Sequence, residues 1–162
     1  MRDALDVPVS HHVSRMEVFV TVKRVRFTLP LPPGVNHQYT RVGNRRVLSK
    51  EHRAFKRAVR KKLGRLRANN SLSDEFIRGL KQGFVGLFLD FYFKTPLKRD
   101  LDGGLKIAQD AILTPLGVND NRVVDIHLVK RIDPLRPRLE VELEAISDWQ
   151  FDVQYYVLRE TE

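Results

Sequence analysis

A chain of 162 residues without cysteine carries 29 Lys or Arg against 20 Asp or Glu, a net charge of +9. That length, with 42% hydrophobic residues, suffices for one domain with a real core, and the missing thiols exclude disulfides and thiolate zinc sites. No run approaches the roughly 18 apolar residues of a spanning helix, and Asp3, Asp6, His11, His12, Arg15 and Glu17 interrupt any signal-peptide core, so the expectation is a cytoplasmic protein with no membrane partner.

Residues 1–15 read as a polar tail. Val18, Val20 and Val22 alternate as a strand does, and Val25, Phe27 and Leu29 do so again after a register shift at Lys23-Arg24 that calls for a bend or bulge. Pro30-Leu31-Pro32-Pro33-Gly34 stops the strand. A loop then runs from Val35 to Arg46, with Asn36, His37, Tyr39, Arg41, Arg45 and Arg46 along it and a turn at Gly43-Asn44. Ser49 is placed to cap a helix over 50–67, whose Phe55, Ala58, Val59, Leu63 and Leu66 form one apolar stripe. Ser73-Asp74-Glu75 caps a second, short helical segment reaching about Leu80, and Phe84–Phe93 is rich in residues that favour a buried strand.

A helix is expected from Asp102 to about Leu113, ended by Pro115 and Gly117, followed by strands Arg122–Arg131 and Arg138–Ile146 around a turn at Asp133-Pro134. Residues 148–162 are an acidic, aromatic extension that fits helix and strand equally. Strands at both ends with helices between them predict a single compact α+β domain over residues 16–147, a mixed β-sheet packed against helices.

Charge is unevenly spread. Between Arg41 and Arg67 there are twelve Lys or Arg and one carboxylate, Glu51. Arg53 and Arg57 lie on the polar side of the predicted helix, so this block reads as a grip on a polyanion. Against that background the segment Arg99-Asp100-Leu101-Asp102-Gly103-Gly104-Leu105-Lys106, answered by Asp120, stands apart. Carboxylates repel phosphate, and a bound divalent cation is the usual reason for gathering them on a nucleic-acid surface. In an extended segment Asp100 and Asp102 point the same way. Asp102 is placed to cap the helix that follows, and Asp102, Lys106 and Asp110 fall on one helical face. Gly103-Gly104 leaves room for a phosphate or ion beside the backbone. A structural reading competes with this one: a capping device, a helix ion pair between Asp102 and Lys106, and a turn residue at Asp120.

The pattern Arg-Asp-Leu-Asp-x-x-x-Lys-x-x-x-Asp-Ala, carried by Arg99, Asp100, Leu101, Asp102, Lys106, Asp110 and Ala111, resembles the RusA-type Holliday junction resolvases. Asn119-Asp120-Asn121-Arg122-Val123-Val124-Asp125 is similar to a second block of that family, and Leu29 to Tyr39 is similar to its N-terminal Pro-Pro-x-x-Asn-x-x-Tyr element. The resemblance spans roughly Val25 to Ile146. It implies a homodimeric endonuclease that uses Mg²⁺, with Mn²⁺ as a substitute, to place paired nicks in four-way DNA junctions. It places the metal at Asp100, Asp102 and Asp120 and the catalytic lysine at Lys106, in a nucleoid-associated protein of a bacterium or its phage. Beside it, Asn36, His37, Tyr39, Arg41, Arg45, Arg46, Arg53, Arg57 and Arg99 are the candidate DNA contacts. Gly103 and Asn119 depart from the family pattern. They keep open a nucleic-acid-binding protein of weak or no activity on the same scaffold, or a nuclease for other branched DNA.

Overall fold

The computed structural model describes residues 23–34, 39–97 and 99–151. The predicted strand at Val18–Val22, the histidines His11 and His12, the loop residues Asn36 and His37 and the end of the C-terminal extension lie outside the described residues.

In chain order the elements are β1 (Lys23–Leu29), β2 (Tyr39–Val42), β3 (Arg45–Leu48), α1 (Lys50–Ala68), α2 (Asp74–Gln82), β4 (Phe84–Phe93), α3 (Asp102–Leu116), a 3-10 turn (Asp120–Arg122), β5 (Val123–Ile132) and β6 (Arg138–Ile146). Four strands form one sheet in the order β1-β6-β4-β5. β6 pairs antiparallel with both β1 and β4, and β5 runs parallel to β4. A parallel neighbour needs a crossover, and α3 supplies it. The fold is therefore α+β with a mixed sheet, as the sequence predicts, and a single β-α-β unit is set into it.

Period-two alternation decides which sheet face is covered. Val25, Phe27 and Leu29, then Val85, Leu87, Leu89, Phe91 and Phe93, then Leu139, Val141 and Leu143 all enter the core. They meet Phe55, Val59, Leu63 and Leu66 of α1, Phe76, Ile77 and Leu80 of α2, and Ile107, Ala108, Ala111 and Ile112 of α3. The alternate positions carry charge instead: Arg24 pairs with Glu142 and Glu144, Arg131 with Asp90, and Arg138 with Asp133 and Glu140. One face is thus dry and helix-covered, and the other is an exposed charge lattice.

Local signals account for most boundaries. The Ser49 hydroxyl accepts from the His52 amide at 3.2 Å, and the Ser73 hydroxyl from the Phe76 amide at 3.1 Å, which fixes the starts of α1 and α2. α2 is longer than its sequence signal, running on to Gln82. The expected loop ahead of α1 is instead a hairpin, β2 and β3 turning at Gly43 with φ +59°. Its four-residue strands are too short to show a period, so only the turn is legible in the chain. α3 passes through Pro115 to Leu116 before Gly117, at φ +65°, ends it. Proline there removes only a last-turn hydrogen bond, and the left-handed glycine is the true stop.

Candidate active site

α3 begins where the parallel strand β4 delivers the chain, and the carboxyl ends of parallel strands are where α/β units present ligand-binding groups. Two contacts fix that corner. A Cβ on Gly104 would lie 2.8 Å from Phe91 and 3.0 Å from Pro32, so the first turn of α3 rests directly on the core through a bare backbone. Arg99 donates to the Pro32 carbonyl at 2.5 Å and lies 5.5 Å over the Phe93 ring. Burial lowers its pKa from the usual arginine range. Arg99, expected to contact DNA, uses Nη2 to hold the Pro-Pro segment near the end of β4.

Asp100 and Asp102 are both exposed on this corner. Leu101 between them has helical backbone angles, φ −67° and ψ −43°, so the segment is not extended and the two carboxylates do not project in parallel as expected. Asp102 is the first residue of α3 rather than its cap; Leu101 takes the cap position with no side-chain hydrogen bond. Among the described residues neither carboxylate has a hydrogen-bond or ion-pair partner, and Asp102 lies at the positive end of the helix dipole. Of the two glycines, only Gly103 faces open space; Gly104 serves packing, not a phosphate.

One turn on, Lys106 reaches Asp120 at 2.8 Å and Asp110 at 2.9 Å. The hydrogen bond that Lys106 donates to Asp120, then the one it donates to Asp110, pushes the lysine above its ordinary range, and Lys106 in turn holds Asp120 below the usual carboxylate range. Asp120 opens the 3-10 turn, whose cap is Asn119: its side-chain oxygen accepts from the Asn121 amide at 3.1 Å. The departure at Asn119 therefore has a local structural role.

Donor chemistry suits a hard divalent cation, since Asp100, Asp102 and Asp120 are exposed carboxylates. Their arrangement is less complete. Among the described residues no three acidic or histidine side chains stand together as a metal-binding group, and Asp120 is engaged by Lys106. The structure brings together Lys106, Asp110 and Asp120, and places Asp100 and Asp102 on the same helix start without joining them to that trio.

A residue missed in sequence stands behind this trio. His52 of α1 is 2% exposed, and its Nδ1 is buried with no hydrogen-bond partner among the described residues. Burial lowers its pKa, Lys56 adds to that, and the Asp110 carboxylate opposes it. The spacing of His52, Phe55, Val59, Leu63 and Leu66 repeats at three and four, so the apolar stripe itself pointed to an inward histidine.

The basic surface lies on separate elements. Arg41, Arg45 and Arg46 are exposed on the hairpin, and Arg53 and Arg57 on α1. Tyr39 is exposed beneath the Arg46 guanidinium, 4.8 Å from ring centre, and plugs no core. No described helix is long and apolar enough to cross a membrane. A comparison with curated proteins finds no match. The family model described as endodeoxyribonuclease RusA matches residues 30–144, from the proline segment through most of β6.

Proposed function

From the premise that this chain belongs to the RusA endodeoxyribonuclease family, we propose that it is a Mg²⁺-dependent endonuclease that resolves four-way DNA junctions by paired symmetric nicks. The observation that carries the reading is the exposed Asp100–Asp102 pair at the start of α3, one turn from a lysine already bonded to Asp120. Such a protein belongs with the DNA of the bacterial cytoplasm, whether a bacterium or its phage encodes it.

Asp100, Asp102 and Asp120 would hold the metal, which when bound polarises a phosphodiester and acidifies a water. Lys106 keeps its proton under the influence of Asp120 and Asp110, so it is a fixed positive charge able to stabilise negative charge developing on phosphate oxygens. Asp110 restrains that ammonium from the next helical turn. The hairpin arginines and the polar side of α1 hold backbone phosphates, a salt-sensitive interaction that carries no base sequence.

A two-fold substrate needs two sites related by the same symmetry, so the active species is a homodimer. Among the described residues β5 is an edge of the four-stranded sheet, with Ile126 and Ile132 exposed on its helix side and Val129 on its charged side, apolar groups that a second copy would cover.

The test is a labelled four-way junction and a matched linear duplex, with and without Mg²⁺ or Mn²⁺, beside Asp102→Asn. Symmetric metal-dependent nicks in the junction alone, lost in the variant while binding persists, support the reading. Junction binding without cleavage in either metal would favour the binding-protein alternative, for which the departures at Gly103 and Asn119 speak. Cleavage of flaps or forks in preference to junctions would move the substrate within the same class.

A further inference from the structure

Two leucines are almost wholly in water: Leu97 is 92% exposed and Leu135 is 90% exposed. One such residue is ordinary on a protein surface. Here the two sit on separate loops that the fold ties together at one end of the sheet. Leu97 follows β4 and Leu135 follows β5, and parallel pairing brings the ends of those strands side by side, Phe93 against Ile132. The Asp133 amide donates to the Phe93 carbonyl at 2.9 Å, and the Lys130 ammonium donates to the Pro96 carbonyl at 3.2 Å.

The Leu135 loop is rigid by construction. The Asp133 carboxylate accepts from the Leu135 amide at 3.2 Å, from the Arg136 amide at 3.0 Å and from the Arg138 guanidinium at 2.7 Å. Cations flank both leucines: Lys94 and Arg136 are exposed and form no ion pair among the described residues. The same end of the sheet carries the start of α3, since Gly104 packs on Phe91 and Arg99 lies over Phe93. Asp100 and Asp102 are thus neighbours of this tip.

We infer that Leu97 and Leu135 form an apolar wedge, rimmed by Lys94 and Arg136, that enters the open centre of branched DNA and stacks against bases unpaired at the branch. Apolar side chains inserted between bases are an established means of holding distorted DNA, and the cost of unstacking is lowest where pairing is already broken. In a continuous duplex no such opening exists, so the wedge gains nothing there. Phosphate contacts by the basic surface would bind duplex and junction alike, and the wedge supplies the difference. The rim cations favour nucleic acid over an apolar protein surface as the occupant. This inference rests on the branched-DNA reading above.

The experiment compares the unsubstituted protein with Leu97→Ser/Leu135→Ser and with Leu97→Met/Leu135→Met, all in EDTA so that no cleavage intervenes. Affinities are measured for a four-way junction and a linear duplex, with 2-aminopurine placed at the branch. The wedge requires the serine variant to lose tenfold or more in junction affinity with duplex affinity unchanged. It must also lose the fluorescence rise at the branch, and the methionine variant must retain both. Undiminished junction preference in the serine variant would overturn the wedge alone. Absence of any junction preference in the unsubstituted protein would overturn the branched-DNA reading and the wedge with it. A change in oligomeric state of the serine variant on size-exclusion chromatography, with junction preference intact, would assign the leucines to self-association instead.

Discussion

The Lys106 ammonium lies 2.8 Å from the Asp120 carboxylate, across fourteen residues of chain that include most of α3. This ion pair fills one proposed metal ligand with a protein cation. A divalent ion at Asp120 would therefore compete with Lys106 for the same oxygens, and the two charges repel.

Replacing Lys106 with Gln should free Asp120 and tighten Mn²⁺ binding severalfold in calorimetry, while nicking is lost. Unchanged affinity together with lost nicking would separate Asp120 from the metal and leave Lys106 a purely catalytic charge.

The paired glycines should answer in opposite directions. Gly103→Ala meets open space and removes a helix-weakening glycine, so it should stabilise the fold by up to about 1 kcal/mol. Gly104→Ala must push Phe91 or Pro32 aside and should destabilise it by about 1–3 kcal/mol, with nicking reduced because Asp102 moves with the helix start. Denaturant titration of both variants checks the sign.

His52 predicts a pH dependence of stability. Its folded pKa lies below the unfolded value of 6.5, so below that value the unfolded chain binds a proton that the folded one resists. The contribution is fully present above pH 6.5 and is lost as pH falls from there toward the folded pKa. Within that window the slope is at most about 1.4 kcal/mol per pH unit. His52→Leu should flatten the slope in urea titrations across this window, and a slope that persists would place its origin elsewhere.

Arginines of different setting should separate in DNA binding. Replacing Arg45 and Arg46 with Ala should weaken binding and make the log-affinity against log-salt slope shallower by about two, near one for each phosphate no longer neutralised. Arg99→Ala should leave that slope unchanged and instead destabilise the fold by about 1–3 kcal/mol, because its bond to Pro32 is removed. A shallower slope for Arg99→Ala would return it to the DNA surface.

The sequence by itself determined the long elements and the chemistry at stake. α1 was legible from Ser49 and its apolar stripe, and β4 and β6 appear with the bounds their composition predicts, because period and capping are local properties of the chain. The acidic pair, Lys106 and Asp120 were legible as one motif within a short span of chain. Only the tertiary structure decided what each does there. It bound Lys106 to Asp120, turned Arg99 onto Pro32, set Gly104 against Phe91 and buried His52 beside Asp110. Those outcomes depend on how β4, α3 and β5 pack after the crossover. Pairings between residues distant in sequence come from that packing, and no local period encodes it.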